Sequence, residues 1–416
     1  KGKVELVAEG DEIRAGKAVF LMEPPERKEV NEAFRLWTIK RLPTKGRIEA
    51  DATILRKVAD AIPFQTVRLR ARRAGVRDRI VMEGTVPRRE DVFVRVEVDA
   101  KHGRNIEALD GAFDGGKLAD ALAFFPGDVK LSWGELEDGR KYGGLAAEDG
   151  TTEVLLAPKA KTEEVIESLE RGRGWIMRCE KPEPYAEGYV RMSTEAVRTL
   201  AALVDQGRYP AWLKYERVFV FGPRDTEGLK WAAILEPEAA HGDGALRADR
   251  ADLAYDLAKA LGSSEVELNQ AGEGPARWEI DGAEGKADIW DAYPSSEWNM
   301  PKLPEGADEA IAEMRDGLSG WQIVRALRKK DLKTAEGKRL LRMAEMDYGQ
   351  LMRLLSSPLA KHVFVIKNPR AGERGQRRLL ITNLTPVRTR AGVLTGLWEK
   401  ERVSEPTFIA WVRLMA

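Results

Sequence analysis

The chain has 416 residues, its 68 Lys and Arg balance its 68 Asp and Glu, and 43% of it is apolar. At about 100–200 residues per domain, this predicts a globular protein of two to four domains and excludes a disulfide-held mini-protein. The single cysteine and the three histidines lack zinc-type spacing, so neither a metal site nor a cofactor is expected. No apolar run approaches membrane-spanning length and the amino terminus lacks an apolar leader, so the default expectation is a cytoplasmic protein without membrane contact.

Residues 1–45 are predicted to form an extension made of a β-hairpin and a short helix. The hairpin strands are expected at Val4–Val7 and Ala18–Met22, joined across Gly10–Gly16, and the helix is expected at 26–42. The Gly-Asp-x-Ile-x-x-Gly spacing of the turn is similar to that of lipoyl and biotinyl domains. No modifiable Asp-Lys or Met-Lys-Met motif follows, so we interpret it as a structural turn.

From residue 46 onward, short amphipathic helices alternate with clusters of strands. Val67–Ala71 is one such strand, with Val67 and Leu69 on one face and Arg68 and Arg70 on the other. This alternation predicts a half-buried strand with an arginine-covered outer surface. The helices are predicted at 51–62, 115–125, 193–206 and 250–261.

The order of helices and strands predicts two similar domains, at 46–160 and 191–306. The segment between them, 161–190, is predicted as a linker with one helix near 162–171. Pro and Gly before residue 307 mark the start of a third, basic domain at 307–416. Its first part, 307–357, is predicted to be helical and its carboxyl end returns to strands. The helix-like spacing is that of Trp321, Ile323, Val324 and Leu327, followed by Leu340, Leu341, Met343 and Met346.

An internal repeat supports this division. Lys117–Gly127 aligns with Asp252–Gly262, with Leu, Ala, Leu, Ala and Gly in register, and each copy leads into a strand. Upstream, Leu55–Ala59 parallels Val197–Ala201, and Leu351–Leu355 is a third, partial echo. Short Leu/Ala helices also match by chance, so a true repeat and a coincidence both stay open.

The repeat resembles the bacterial DNA polymerase III beta sliding clamp family, whose domains each contain two helix-plus-strands halves. The similarity is closest over Met192–Gly306, where the helix Arg250–Gly262 leads into Val266–Leu268, and Tyr293–Pro304 looks like the segment that joins clamp domains. The resemblance implies an α+β fold of repeated sliding-clamp-like domains, each with two helices backed by antiparallel sheet. It also implies a homodimeric ring around duplex DNA that acts as a processivity factor in DNA replication.

Three features depart from that family. Residues 1–44 have no clamp counterpart, and 134–190 is long for a connection between domains. The third domain lacks its first set of strands. These departures weaken the resemblance.

The final segment, Phe408–Met415, is similar to the apolar last strand of clamps, which helps to line their pocket for partner peptides. The resemblance implies that Leu414 and Met415 border a groove for a short hydrophobic peptide of a DNA polymerase or another replication protein. The alternative is core packing of the last strand, since alternate residues from Phe408 to Leu414 face inward in any sheet.

Charge is segregated along the chain. Residues 317–416 hold 20 Lys and Arg against 8 Asp and Glu, whereas residues 225–316 hold 8 against 22. Either a basic domain packs on an acidic one, or the basic parts bind a polyanion such as nucleic acid while the acidic parts face away. The resemblance implies duplex DNA, held by sequence-independent phosphate contacts, and the alternative for each residue is an ordinary solvated surface. The candidate DNA-binding residues are Arg56, Lys57, Lys117, Arg198, Lys259, Arg325, Arg328, Lys329, Lys330, Lys338, Arg339, Arg342, Arg377 and Arg378.

The strongest enzyme alternative is a metal-dependent nuclease. The apolar strand Val92–Val98 runs into Asp99 and Lys101, and with Glu83 upstream this pattern is typical of PD-(D/E)xK nucleases, which bind a divalent cation. No Walker loop, dinucleotide fingerprint, G-x-S-x-G or H-E-x-x-H motif is present, so no other catalytic residue is predicted. A third alternative is a non-catalytic scaffold protein of a nucleoprotein complex.

Overall fold

Antiparallel sheets with helices packed on their faces make up the protein, whose structure is a computed structural model. The structure describes residues 6–9, 12–15, 18–21, 46–62, 64–86, 89–134, 144–149, 153–156, 163–170, 188–225, 228–270, 276–291, 302–315, 318, 320–344, 346, 348–369, 375–385, 387–388, 394–395 and 406–415. In that part of the chain, no helix is both long enough and apolar enough to cross a membrane.

The amino-terminal segment forms a small antiparallel sheet of three strands, β1 Leu6–Glu9, β2 Glu12–Ala15 and β3 Ala18–Leu21. The predicted hairpin is therefore wrong in one respect, because half of its supposed turn is itself the central strand. Strand β2, Glu12–Ala15, lies where the single turn was expected. The helix expected at 26–42 lies outside the described residues.

From residue 46 onward, the described residues contain five copies of one unit, in which a strand A is followed by a helix and then by strands B, C and D. Unit 1 consists of β4 Gly46–Asp51, α1 Ala52–Ala61, β5 Thr66–Ala74, β6 Arg77–Val86 and β7 Arg89–Arg104. Unit 2 follows the 3-10 turn Ile106–Ala108 and consists of β8 Asp110–Asp114, α2 Gly115–Leu122, β9 Asp128–Gly134, β10 Gly144–Glu148 and β11 Glu153–Leu156. The helical segment α3, 163–170, comes next, where the sequence predicts a helix near 162–171.

Units 3 and 4 repeat the order after α3. Unit 3 consists of β12 Gly188–Ser193, α4 Thr194–Val204, β13 Ala211–Lys214, β14 Arg217–Phe221 and β17 Trp231–Leu235, with the small ribbon β15 Arg224–Asp225 and β16 Gly228–Leu229 inserted before β17. Unit 4 follows β18 Ala239–Gly242 and consists of β19 Gly244–Leu246, α5 Ala251–Leu261, β20 Glu265–Gln270, β21 Ala276–Gly282 and β22 Gly285–Asp291. The helices α1 and α4, predicted as repeats of each other, thus hold equivalent positions.

The last residue of strand A starts the helix in the first three units. Asp51 accepts hydrogen bonds from the amides of Thr53 and Ile54 at 2.7 and 3.2 Å, and so satisfies two of the amides that begin α1. Asp114 caps α2 and Ser193 caps α4 in the same way. In these three units, a short polar side chain at the end of strand A therefore caps the helix that follows.

Units 1 and 2 are sisters that exchange their first strands, as are units 3 and 4. Strand A of each unit pairs with strand B of its sister, β4 with β9 and β8 with β5 in the first pair. The second pair repeats this with β12 on β20 and β19 on β13. In all four units, strands B, C and D form an antiparallel meander. The prediction of an α+β fold, with pairs of helices backed by antiparallel sheet, is confirmed.

The two pairs of sisters join through their D strands. Residues 92–98 of β7 pair antiparallel with β22, with Val94 opposite Ile289. Gly285 opens β22 at φ +151°, and a Cβ atom there would lie 2.0 Å from the carbonyl oxygen of Glu97. Only glycine fits this approach of two backbones.

Unit 5 stands without a sister. It consists of β23 Gln322–Leu327, the 3-10 turn Asp331–Lys333, α7 Ala335–Met343, α8 Tyr348–Ser356, β24 His362–Lys367, β25 Arg377–Thr382 and β28 Phe408–Arg413, with the ribbon β26 Val387–Arg388 and β27 Leu394–Thr395 inserted before β28. Its strand A pairs with its own strand B, β23 with β24, and its strand D joins unit 3 through β28 on β17. The helical prediction for 307–357 is wrong at 322–327, which form a strand.

The sheet of units 3 and 5 is covered on both faces. Trp231 and Ala233 of β17 face a core shared with the unit helices, whereas Ala232 and Ile234 face a second core. Helix α6, Ala307–Arg315, closes that second core with Ile311 and Met314. Every residue of β28 is buried because the strand lies centrally between β17 and β25 and is covered on both sides.

Candidate nucleic-acid interface

The unit helices form one layer on one side of the sheets. They lie side by side in the order α2, α1, α5, α4 and α8, and each packs against the next. Their buried residues, such as Leu118, Leu55, Leu257, Leu200 and Leu354, belong to a single core. The opposite faces of these helices therefore make one continuous surface, which we call the helix layer.

The helix layer of units 1 to 4 is electrically balanced. All its charged side chains are exposed, and five are basic while five are acidic, so their charges cancel. The basic ones are the predicted Arg56, Lys57, Lys117, Arg198 and Lys259. The acidic ones are Asp60, Asp120, Glu195, Asp252 and Asp256.

Two of the five bases are engaged within the layer. Arg56 forms an i, i+4 ion pair with Asp60 at 3.4 Å, and the guanidinium of Arg198 lies 5.7 Å from the ring centroid of Tyr255. An exposed pair of this kind stabilises the fold by less than about 1 kcal/mol, so it opens readily for a better partner. The layer presents cations without a net positive field.

The charge changes in unit 5, over residues 322–343, which we call the terminal lobe. It contains eight Lys or Arg and two acidic residues, and all eight basic side chains are exposed. Leu332 and Leu341 of the lobe are buried in the core that the unit helices share, so the lobe extends the helix layer. The eight are Arg325, Arg328, Lys329, Lys330, Lys333, Lys338, Arg339 and Arg342.

Among the described residues, Arg325 is the one base of the terminal lobe with a carboxylate partner. Its guanidinium holds both oxygens of Glu336 in the first turn of α7. Desolvation by neighbouring protein atoms lowers the pKa of Lys329 below its ordinary value, although the side chain is exposed. Lys333 was not among the residues predicted from sequence, although it continues the same basic run. Within the part of the chain that the structure describes, the other seven basic side chains are exposed and have no carboxylate partner.

The two candidate arginines at the start of β25 differ in exposure and lie on opposite faces of the strand. Arg377 is exposed and shares its face of the strand with Leu379, which is buried on the helix side. Arg378 is 8% exposed and points to the other side, where its guanidinium lies 5.0 Å from the ring centroid of Trp411. It also donates to the side chain of Gln376 at 2.8 Å. Arg378 is therefore removed from the interface, because burial and its own contacts keep it from a phosphate.

The two candidates at the carboxyl end, Leu414 and Met415, also differ in exposure. Leu414 is buried in the helix-side core and forms an isolated antiparallel β-bridge with Ala344, which follows α7. Met415 is 49% exposed, and its amide donates to the carbonyl oxygen of Met343 at 2.7 Å. Of the two residues predicted for partner binding, Met415 alone has an exposed side chain.

The nuclease pattern does not assemble a metal site. Glu83 is buried and accepts a hydrogen bond from Arg70 at 2.5 Å, while Asp99 accepts from Arg77 and Arg79. Lys101 lies between the carboxylates of Glu49 and Asp128 at 2.8 and 2.5 Å. In the part of the chain that the structure describes, no three His, Cys, Asp or Glu side chains converge on a common point. Arginines already neutralise the carboxylates that a cation would need.

These contacts belong to a network on the sheet face away from the helices. Arg68, predicted to be on an arginine-covered outer surface, is only 5% exposed and binds both oxygens of Asp110 at 2.7 and 2.8 Å. It also donates to Glu170 of α3 at 3.0 Å, so α3 covers this face. The hydrogen bonds that Arg68 donates to Asp110 and Glu170 outweigh burial and raise the pKa of Arg68. The arginines of this face are structural, and the nucleic-acid candidates lie on the other side.

Comparisons with known proteins find neither a matching family model nor a matching curated protein. Among solved structures, the proliferating cellular nuclear antigen of Entamoeba histolytica is similar, with 11% identity and a TM-score of 0.43 over 60% of this chain and 99% of that chain. The PCNA2–PCNA3 complex of Sulfolobus tokodaii is similar over the same shares of the two chains, with 11% identity and a TM-score of 0.39. Neither structure is of the bacterial family that the sequence resembles, and likeness at this level decides neither partner nor activity.

Proposed function

We propose that the protein is a non-catalytic, sliding clamp-like factor that holds duplex DNA against its helix layer and terminal lobe. The observation that carries the proposal is the single layer of unit helices with seven unpartnered cations at one end, counted over the described residues. A polyanion long enough to follow the layer and rich enough in charge to occupy the lobe fits this surface. Duplex DNA has both properties.

The chemistry of the surface predicts contacts to phosphate and none to bases. The exposed groups are Lys and Arg side chains, on the short helices of units 1 to 4 and on the strand, turn and helix of the terminal lobe. Such contacts gain affinity by releasing counterions, and they carry no sequence information. Binding is therefore sequence-independent and weakens steeply as salt is added.

The second part of the proposal is a tether for a replication partner. Met415 is exposed where the end of β28 meets the end of α7, and Met343 beside it is half-buried. A flexible thioether at a rim adapts to several apolar side chains, so a short hydrophobic peptide of a DNA polymerase or similar protein is the proposed ligand.

The test is binding of the full chain to fluorescent duplexes of different sequence and equal length, over a series of salt concentrations. The proposal expects equal affinities for unrelated sequences and a linear fall of log K with log salt. Cleavage that depends on Mg²⁺ would instead identify a nuclease. A chain that neither binds nor cuts duplex DNA would be a scaffold protein, and the proposal would be wrong.

A further inference from the structure

The described units join one another by a simple rule. Sister units pair strand A of one with strand B of the other. All other joints pair two D strands: β7 with β22 joins unit 1 to unit 4, and β28 with β17 joins unit 5 to unit 3. The units therefore stand in the spatial order 2, 1, 4, 3 and 5. This row has two ends, strand β11 of unit 2 and strand β23 of unit 5.

The end at unit 5 is closed against a further unit. In units 1 to 4, strand A is given to a sister, but β23 pairs with the B strand of its own unit and occupies the place where a sister would add. The edge strand β23 carries a β-bulge at Val324 in its pairing with β24, because Ile323 lies opposite Ile366 and Arg325 opposite Val365. A bulge and a charged side chain on an edge strand are two ways in which proteins prevent the addition of another strand.

The bulge also directs charge to the helix side. Ile323 packs toward the second core and Leu327 toward the helix-side core, although residues four apart in a regular strand share a face. The extra residue shifts Arg325 to the helix side, where it meets Glu336. The same irregularity that closes the edge therefore fixes the terminal lobe onto the surface of the helix layer.

We infer that the protein holds duplex DNA as an open arc of five units, in which the terminal lobe acts as an electrostatic anchor in place of a closed ring. This inference rests on the proposed function and replaces the expectation of a ring-forming homodimer. The four balanced units supply a surface along which DNA lies without strong attraction. The lobe supplies the affinity, and if the seven cations that have no carboxylate partner among the described residues all contact phosphate, the slope of log K against log salt is about −6.

The first experiment asks whether retention is topological. The full chain is sized by sedimentation at micromolar concentration, and its dissociation from a nicked circular duplex and from the same duplex linearised is followed after adding competitor DNA. An open arc sediments as one chain and leaves both forms at the same rate. A two-chain assembly that stays on the circle in 0.5 M salt and leaves on linearisation would overturn the inference while the proposed function stood.

The second experiment locates the anchor with two matched triple variants. Lys338→Ala, Arg339→Ala and Arg342→Ala together remove three charges from the exposed face of α7 in the lobe. The control removes three from the helix layer with Lys57→Ala, Lys117→Ala and Lys259→Ala, all at exposed positions. We expect the lobe variant to lose 10-fold or more in affinity at 0.1 M salt and the control less than 3-fold.

The outcomes separate the two ideas. Equal losses in the two triple variants would show that affinity is spread over the layer, which overturns the anchor but leaves duplex binding intact. No binding of the unmodified chain to either DNA form would refute the proposed function itself. Circular dichroism and thermal unfolding of both variants guard against loss of fold as the cause.

Discussion

Thr199 of α4 and Ser357, just after α8, share a buried hydrogen bond of 2.6 Å between their hydroxyl oxygens. The Thr199 hydroxyl already donates to the carbonyl oxygen of Glu195 at 3.0 Å, so the proton between the two hydroxyls comes from Ser357. Nearby, the side-chain amide of Gln350 donates to the carbonyl oxygens of Ala202 and Leu203 at the end of α4. These bonds attach unit 5 to unit 3 within the helix layer.

Replacing Thr199 by Val keeps the shape of the side chain but leaves the buried Ser357 hydroxyl without its acceptor. We expect a loss of about 1–3 kcal/mol in the free energy of unfolding, measured by urea titration. Ser357→Ala alone should cost about 1 kcal/mol, and the double variant less than the sum of the two, because both remove the same bond. Strict additivity would show that the hydroxyls do not interact.

Gly285→Ala should break the joint between β7 and β22. The new Cβ would meet the backbone of Glu97 at a residue that also has positive φ, so we expect a loss of at least about 2 kcal/mol. Gly75→Ala is the matched control, since Gly75 also has positive φ but nothing lies within 4 Å of its Cβ position. Hydrogen exchange of the Val92–Val98 amides should quicken in the first variant alone, and unchanged protection there would count against the joint.

The buried carboxylate of Glu97 and the half-buried carboxylate of Glu313 should respond to pH with opposite signs. Burial acts to raise the pKa of Glu97, but hydrogen bonds from Arg72 and Arg79 and the charge of Arg95 hold it below its ordinary value. The stability that Glu97 contributes is therefore present above about pH 4.3 and is lost as pH falls through the lowered folded-state pKa. Glu97→Gln should destabilise the protein by about 1.5–3 kcal/mol at pH 7 and flatten the acid side of its stability profile.

Glu313 of α6 is the opposite case. Burial raises its pKa, and Glu309 adds to the effect against the lowering influence of Arg378. Its contribution to stability is present below about pH 4.3 and is lost as pH rises through the raised folded-state pKa. Glu313→Gln should thus increase the free energy of unfolding at pH 7, and thermal melts at pH 4 and pH 7 compare the two carboxylates directly. A decrease at pH 7 would show that Glu313 has a stabilising partner when charged.

Replacing Arg328, Lys329 and Lys330 together by Ala should flatten the salt slope of duplex binding by about three units. The turn that carries them is held by other groups, since the Asp331 carboxylate accepts from the Arg328 amide at 2.9 Å. The backbone of the lobe should therefore keep its shape in the variant. An unchanged slope, measured by fluorescence anisotropy, would remove these three side chains from the DNA surface.

Leu414 and Met415 should behave as a core residue and a surface residue. Leu414→Ala is expected to cost about 2–5 kcal/mol because it leaves a cavity at the end of β28. Met415→Ala should stay within about 0.5 kcal/mol of the parent in stability yet weaken binding of a hydrophobic polymerase-type peptide several-fold. Undiminished peptide binding by the Met415 variant, measured by calorimetry, would place the groove elsewhere.

The helices of units 1 to 4 could be predicted from sequence because their signals are local. Each has an apolar spacing that fits one buried face, as with Leu55 and Val58 of α1, and Asp51, Asp114 or Ser193 marks where three of them begin. Pairing of β7 with β22 could not be read in this way, since nothing near either strand specifies a partner about 190 residues distant.

The strand at 322–327 was mistaken for helix for a specific physical reason. Val324 is an extra residue in the strand, so the alternation that marks a strand is interrupted, and the remaining spacing of Ile323, Val324 and Leu327 fits a helix. A β-bulge interrupts the two-residue alternation of apolar and polar side chains on which the prediction of a strand depends.

The site was predicted in part. The basic residues of the terminal lobe stand close together in the sequence, so their run was visible, although Lys333 was left out. The acids that cancel the charge of the helix layer, such as Asp252 and Asp256 beside Lys259, can be assigned to that surface only once the exposed face of each helix is known. Burial of Arg378 depends on Trp411, which lies on another strand, and no local pattern contains that information.

The pairing of β7 with β22 has a consequence for the folding of the chain during its synthesis on the ribosome. The last strand of unit 1 has emerged by residue 104, but the partner of that strand begins at Gly285. At about 5–20 residues per second, the edge of β7 waits roughly 10–40 s for its neighbour. During that time the unpaired backbone groups of β7 are free to pair with a strand of another nascent chain. Chaperones act on exposed strand edges of this kind. A fragment that ended near residue 160 would keep this edge open for good, and would be expected to aggregate rather than to behave as a smaller version of the protein.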